Sequence, residues 1–279
     1  MLEIARRVEA SAASGPIRYT IASLVTDTAQ YAAMLKSFRE HGFGEKDCEF
    51  LFIDNSSANS LCAYRGLNRM LEEARGDYVI LCHQDILLID GRESLEASLA
   101  ELEARDPKWA VAGNAGAMGL GRFALRISDP NGANRRIGDL PQAVHSLDEN
   151  LIILKRAAGL RFSSDLSGFH FYGTDICILA DVLGYSSYVI DFHVMHLGRG
   201  IINEAFHACQ DNITRKYARA FRPRWIQTTC SRVYVSGTPL GHGLGAFWQR
   251  LNTAGRSKLF RLASRIGEAL YPPAHAARD

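Results

Sequence analysis

The chain has 279 residues and a mass of 30.8 kDa, 47% hydrophobic and 22% charged, which suits one large domain with a small appendage and excludes disordered, collagen-like and coiled-coil classes. Lys plus Arg number 32 against 30 Asp plus Glu, a net charge of +2, so a dedicated nucleic-acid binder, with its strong basic excess, is not expected. No apolar run approaches the roughly 20 residues needed to cross a bilayer, Met1-Leu2-Glu3-Ile4-Ala5-Arg6-Arg7 does not read as a signal peptide, and six cysteines at 48, 62, 82, 177, 209 and 230, none in a CxxC pair, suit reduced, mostly buried thiols in the cytoplasm.

Residues 1–15, ending in a run of small side chains, read as a flexible leader. Residues 17–25 (IRYTIASLV) are β-branched and apolar, a strand. Thr26 and Asp27 can cap the helix that follows, which places Tyr31, Leu35 and Phe38 on one stripe and stops at His41-Gly42-Phe43-Gly44. A second strand (CEFLFID, 48–54), a polar turn (55–59), a helix (60–75), a break at Gly76-Asp77 and a third strand (YVILC, 78–82) come next. His83-Gln84-Asp85 closes that strand; a helix over 93–105 and a strand over 109–113 follow. Strands alternating with helices at this spacing predict a mostly parallel α/β sheet with right-handed crossovers. Ligands in such sheets bind beyond the carboxyl ends of the strands. Thr26 and Asp27, Asp54 and Asn55, and His83 to Asp85 are therefore expected to converge.

The middle changes character. Residues 113–121 are glycine-rich and 129–138 (DPNGANRRIG) read as a turn-rich insertion. Residues 143–153 and 187–196 are strand-like, with a helix between them opening near Asp175 and ending near Gly184. Helix is expected from about 199 to 220, then irregular chain. Residues 247–270 carry Arg250, Arg256, Lys258, Arg261 and Arg265 against one acid, Glu268, with Leu259, Leu262 and Ile266 at helical spacing. A helix packed on the domain, a helix lying on anionic lipid, and a homo-oligomer contact are three open readings of this stretch.

The segments Ile53-Asp54-Asn55, YVILCHQD (78–85), FHFYGTD (169–175) and YVIDFHVMH (188–196) together resemble the bacterial GT-A-fold glycosyltransferase-like group related to glycosyltransferase family 2, including the streptomycin-biosynthesis StrF-like domain. Ser146-Leu147-Asp148-Glu149 followed by 152–155 looks like that group's acceptor-side strand. The resemblance implies an α/β fold of GT-A (Rossmann-like) type, a mostly parallel sheet flanked by helices, over residues 16–198, with a mostly helical extension over 199–279. It also implies a hexosyltransferase-like enzyme, inverting and using a UDP-sugar.

Such an enzyme must stabilise a departing nucleotide diphosphate, commonly with Mn2+ or Mg2+ as a Lewis acid, and must deprotonate an acceptor hydroxyl. Hard cations keep substrate oxygens in their shell, so one or two protein ligands suffice. Asp85 is the best candidate. The resemblance makes it the last Asp of the family's Asp-x-Asp motif, puts His83 where the first Asp usually stands, and gives His196 the ligand that completes the shell. Strand alternation turns His193 to the opposite face from His196. The nucleotide side is expected to hold Ser23, Thr26, Asp54, Asn55, Arg65, Gln84 and Asp85, with Asp54 and Asn55 reading a uracil; Arg65 stands where the family more often has Asn. Asp175 is the expected general base, favoured as an anion at a helix start, with a plain N-cap as the alternative. Asp148 and His170 fall on the acceptor side.

The expected partners are a nucleotide-sugar donor and a glycan, lipid-linked or protein acceptor, in the cytoplasm and at the inner membrane face if the basic stretch binds lipid. A nucleotidyltransferase would carry a Gly-rich, basic loop after the first strand, and Leu24-Val25-Thr26-Asp27-Thr28 is not one. A non-catalytic nucleotide or sugar binder on the same scaffold stays open.

Overall fold

In the computed structural model the described residues are 17–247, apart from 45, 58, 59, 201, 230, 231, 242 and 246. The expected leader and the basic stretch beyond residue 247 lie outside them. The first half alternates as its hydrophobic pattern requires: β1 (Tyr19–Val25), α1 (Thr28–Glu40), β2 (Cys48–Asp54), α2 (Ala63–Glu73), β3 (Tyr78–Cys82), a short β4 (Ile86–Leu88), α3 (Arg92–Arg105) and β5 (Trp109–Gly113). Asp27 caps α1, accepting from the Ala29 and Gln30 amides at 2.9 and 3.1 Å. The apolar faces of α1 (Tyr31, Met34, Phe38) and α3 (Leu95, Leu99, Leu102) are buried, as 3.6-residue periodicity dictates.

The second half is richer in strands than its sequence suggests. β6 (Ala115–Gly119), β7 (Arg122–Asp129) and β8 (Gly132–Ile137) form an antiparallel meander, so the presumed insertion at 129–138 contains a strand. Ladder pairing to β7 decides this, together with the Arg135–Asp129 and Arg136–Asp191 ion pairs at 3.0 and 3.2 Å, and not apolar content. The expected strand over 143–153 is broken into β9 (Gln142–Ala143), β10 (Ser146–Leu147) and β11 (Leu151–Lys155). Asp148 accepts from the Asn150 amide at 3.0 Å and turns the chain between the last two. Helix α4 (Tyr172–Val182) opens three residues before Asp175, with Phe171 at its N-cap. The strand expected over 187–196 is two strands in different sheets, β12 (Ser186–Val189) and β13 (Val194–His196). Helix α5 (Glu204–Ala220) and a hairpin of β14 (Arg224–Gln227) and β15 (Arg232–Val235) follow.

The main sheet has the order β2-β1-β3-β11-β5-β12-β9. β1 pairs in parallel with β2 and β3, and β12 pairs in parallel with β5; β11 runs antiparallel between β3 and β5. A six-stranded sheet runs β10-β6-β7-β13-β4, with β8 added at β7. The core takes in Tyr19, Ile21, Met34, Phe38, Ile80, Leu95, Leu99, Trp109 and Ile153, with Tyr78 packed against it. Tyr78 stacks on Trp109 at a centroid distance of 5.8 Å. The chain divides into two compact units between Asp211 and Asn212. Among the described residues no helix is long and apolar enough to cross a membrane.

Candidate active site

Parallel pairing of β1 with β2 and β3 brings the three carboxyl ends to one edge of the main sheet. The Gln84 side chain staples two of the loops there. Its Oε1 accepts from the Thr26 and Asp27 amides at 2.8 and 2.9 Å, and its Nε2 donates to Thr26 Oγ1 at 3.0 Å. His83 to Asp85 thereby acquire a fixed position beyond β3.

The second sheet brings in the third ligand. Antiparallel pairing of β13 with β4 sets His196 opposite Ile86, and the Leu197 amide donates to the Asp85 carbonyl at 3.1 Å. His196 Nε2 then lies 3.4 Å from Asp85 Oδ1 and 3.3 Å from His83 Nδ1, and the His83–Asp85 separation is 4.0 Å. The centre of that triangle is about 2.1 Å from each corner, a bond length that divalent cations want. Among the described residues these three form the one group with metal-ligand geometry, all ligand atoms lying within 4.8 Å of one another. Gly198 completes the cradle: a Cβ there would stand 2.5 Å from Asp85 Oδ2. The residues therefore fit a cation. Two imidazoles and one carboxylate suit Mn2+ or a later transition metal better than Mg2+.

Charge in the cluster is arranged for this. Burial pushes Asp85 up, but the hydrogen bond and charge of His196 hold it below the usual carboxylate range. Burial opposes charge on His196, yet the Asp85 carboxylate wins and raises it above the ordinary histidine value. Burial and the neighbouring His196 keep His83 lowered, hence neutral.

The proton on His83 can be placed by donor counting. Tyr172 Oη donates to the Glu149 carbonyl at 3.2 Å, and its one hydrogen is spent there. At 2.9 Å from His83 Nε2 it can then only accept. His83 thus carries its proton on Nε2 and turns the Nδ1 lone pair to Asp85 and His196, an outer hydrogen bond that orients a ligand. Burial, with the charges of Glu149 and Asp148, raises Tyr172 well above an ordinary tyrosine, so it keeps its proton.

Other expected residues are spread more widely. Asp54 is exposed at the end of β2, and hydrogen bonds from Ser56, including its amide at 2.8 Å, hold it below the usual carboxylate range. Asn55 is 2% exposed and turned inward: its Nδ2 donates to the Leu61 carbonyl at 2.8 Å and its Oδ1 accepts from Leu61 N and Ser60 Oγ at 3.3 Å. Ser23 is buried in β1, 3.5 Å from Cys82 Sγ. Arg65 is exposed on the first turn of α2. His170 packs on Phe206 and is lowered by burial. His193 is buried, with Ser128 Oγ 2.9 Å from its Nε2.

Asp175 is not brought into the cluster. It is 0% exposed, and its oxygens accept from Ser163 N at 2.8 Å and Ser163 Oγ at 2.6 Å. Lying one turn into α4, it faces the interior, and Phe171, not Asp175, stands at the N-cap. Two residues missing from the sequence-based site stand next to it instead, Tyr172 against His83 and Glu149 through its backbone carbonyl. Both lie within the segments 146–149 and 169–175, but nothing local distinguishes their side chains from neighbours.

Beside the cluster a cleft of about 440 Å³ opens over β6, β7 and β8, walled by Phe123, Leu125, Ile127 and Ile137, with Asp129 and Asp148 among its polar residues. Asp148 joins it to the cluster, since its charge reaches both His83 and His196.

No protein-family model matches the chain. The "ATP synthase subunits region ORF 6" protein of Fuscovulum blasticum is 40% identical over 228 residues, 79% of this chain and 92% of that one. The chain belongs to that family. Among solved structures, the mannosyltransferase PcManGT of Pyrobaculum calidifontis, in complex with GDP-Man and Mn2+, aligns with 93% of this chain and 82% of its own, at a TM-score of 0.50 and 14% identity. S. aureus TarS 1-349 in complex with UDP-GlcNAc aligns with 67% of this chain and 60% of its own, at a TM-score of 0.48 and 13% identity. The family member described here has a GT-A-like fold, a mixed α/β sheet flanked by helices.

Proposed function

We propose that the protein is a glycosyltransferase that moves a sugar from a nucleotide-diphosphate donor, a UDP-sugar, to an acceptor hydroxyl with inversion, and that it is related to the family 2 and StrF-like enzymes its motifs resemble. The observation that carries this reading is the meeting of His83, Asp85 and His196 at the carboxyl edge of a GT-A-like sheet. The pairing of a nucleotide sugar with Mn2+ in the complex of PcManGT supports it. These three side chains would hold Mn2+, or Mg2+ less well. Such a cation, when bound, supplies positive charge for the departing diphosphate.

The remaining roles belong to the chain's own groups. Tyr172 keeps the His83 lone pair aimed at the ligand position. Gln84 holds the Thr26 loop against His83–Asp85, so the donor meets a preformed edge. Asp54, exposed and ionised, accepts from a pyrimidine N–H, and the charge of Arg65 faces the phosphates. The cleft beside Asp148 takes the acceptor, its apolar wall matching an acceptor with an apolar portion.

Calorimetry of UDP with and without Mn2+, beside an assay of donor hydrolysis over a panel of nucleotide sugars, tests the reading. Binding should require Mn2+, one donor of the panel should be hydrolysed, and Asp85→Ala should lose both while keeping its melting temperature. Nucleotide binding indifferent to Mn2+ and to Asp85→Ala overturns the proposal. Metal-dependent binding with no turnover of any donor favours the non-catalytic binder instead.

A further inference from the structure

Charge is divided unevenly along the chain. Residues 212–279, the second compact unit, hold 12 Lys and Arg against two acids, Glu268 and Asp279, a net charge of +10. The first unit holds the other 20 basic and 28 acidic residues, a net charge of −8. The overall +2 therefore conceals two units of opposite sign. Over 212–247 the sequence has Arg215, Lys216, Arg219, Arg222, Arg224 and Arg232 and no acid at all. Self-repulsion of this kind destabilises a folded unit, and charge asymmetry between parts of a chain is the footprint of an anionic partner.

The same unit exposes large apolar side chains in an ordered pattern. After the β14–β15 hairpin, Thr238 Oγ1 accepts from the Gly241 amide at 3.2 Å, and residues 239–241, 243–245 and 247 are helical. Gly241 and Gly245, one turn apart, give these turns a bare face. A Cβ on Gly241 would collide with Ser236 Oγ, and one on Gly245 with the Tyr234 ring. Gly245 is buried there, and Tyr234 packs in turn on Trp225 at a centroid distance of 5.0 Å. At about 100° per residue, Leu244, Leu240 and Phe247 lie roughly 100°, 140° and 160° round the helix from Gly245. They point away from the hairpin, and they are 54%, 78% and 58% exposed. Three such side chains on one stripe mark a contact surface more than a scatter of solvent-facing residues.

We propose that the second unit docks the protein on a bilayer carrying anionic lipid, with Leu240, Leu244 and Phe247 at the boundary of headgroups and acyl chains and Arg215, Arg219, Arg222 and Arg224 among the headgroups. A basic surface alone would suit any polyanion, but a nucleic acid offers no apolar phase to the aliphatic side chains of this stripe. An apolar stripe alone would suit a second copy of the chain, but a two-fold contact would press together two units of net charge +10. An anionic bilayer satisfies both features at once: lipid phosphates attract the arginines, and the acyl boundary takes the apolar side chains. Docking is independent of the transfer chemistry proposed above, since none of these residues lies in the cation cluster or lines the cleft.

Flotation of the full chain with lipid vesicles is the test. In about 0.1 M salt, vesicles of phosphatidylcholine with about 30% phosphatidylglycerol should bind the protein at least about tenfold more tightly than phosphatidylcholine alone, and about 0.5 M salt should remove most of that difference. Leu240→Ser combined with Leu244→Ser should weaken binding to the anionic vesicles about 30-fold or more. Because both side chains are exposed, its Tm should stay within about 2 °C of wild type. Leu120→Ser, at a fully exposed leucine of the first unit, is the control and should bind vesicles as wild type does. Equal binding to neutral and anionic vesicles, or binding to neither, overturns the proposal. So does a double variant that holds anionic vesicles, and a single-stranded RNA homopolymer, within about threefold of wild type, the behaviour of a plain polyanion binder. A Tm lowered by more than about 5 °C, or a dimer lost in light scattering, would show the stripe covered by the chain itself or by a second copy, and overturns it as well.

Discussion

Replacing Gly198 with alanine tests the cation cradle without touching any of its three ligands. A Cβ built on Gly198 lies 2.5 Å from Asp85 Oδ2 and 3.5 Å from His196 Nε2, where ordinary contact begins at 3.4 Å. The backbone cannot retreat freely, because the preceding amide of Leu197 donates to the Asp85 carbonyl at 3.1 Å. The carboxylate must yield by about 0.9 Å, several times the tolerance of about 0.2 Å in a metal–ligand bond. Disturbing an outer partner of a metal site typically costs 10–100-fold in affinity. Loss of Asp85 from the triangle belongs at the upper end, so Gly198→Ala should weaken Mn2+ binding about 100-fold, about 2.7 kcal/mol. The turn follows the end of β13 and carries little packing, so stability without metal should change by about 0.5 kcal/mol at most, about 1–2 °C in Tm. Gly200→Ala is the control, since a Cβ there meets nothing within 4 Å. Calorimetric titration of Mn2+ into the three proteins, with melting curves in chelator, reads both quantities. Mn2+ affinity of Gly198→Ala within about threefold of wild type would refute the cradle.

Tyr172→Phe removes the acceptor that holds the His83 proton on Nε2; Mn2+ affinity should fall about tenfold, and an unchanged affinity in titration calorimetry would contradict the tautomer assignment. Metal binding should also depend on pH. His196 must lose its proton to act as a ligand, and Asp85 holds its pKa above the ordinary value of about 6.5. Mn2+ affinity should therefore drop as pH falls through that raised value, with proton release on binding in the same window; a flat affinity from pH 8 to about 6 would count against the site. Asp175→Ala leaves the Ser163 amide and hydroxyl unpaired in the interior, at a cost of about 2–3 kcal/mol, or roughly 4–12 °C in Tm. Donor hydrolysis per folded molecule should stay near wild type, and a hundredfold loss at unchanged Tm would return Asp175 to the role of base.

Much of this architecture can be read along the chain because it depends on local periodicity. The apolar runs at 19–25, 48–54 and 78–82, with amphipathic helices between them, determine a sheet whose strand ends carry Thr26, Asp54 and His83–Asp85. What the pattern cannot contain is pairing. The run LIILK of β11 is buried on both faces and would look the same in either direction; only its neighbours β3 and β5 make it antiparallel. The meander over 115–137 is invisible to hydrophobicity because β8 is mostly exposed and is held by its ladder with β7.

The site divides in the same way. Its sequence places histidines and carboxylates at the ends of segments, and that much is local. Their meeting is not: His196 reaches Asp85 because β13 pairs with β4 across more than a hundred residues of chain. Asp175 and Glu149 point where they do for a geometric reason. A carboxylate one turn into α4 follows the helix's rotation into the core and finds Ser163, while a turn between β10 and β11 delivers Glu149 to the amides at the helix start. Charge type and strand-end position are properties of the chain, but the direction of each side chain is set by helix phase and by which backbone it lies against. Only the packed structure supplies those two quantities.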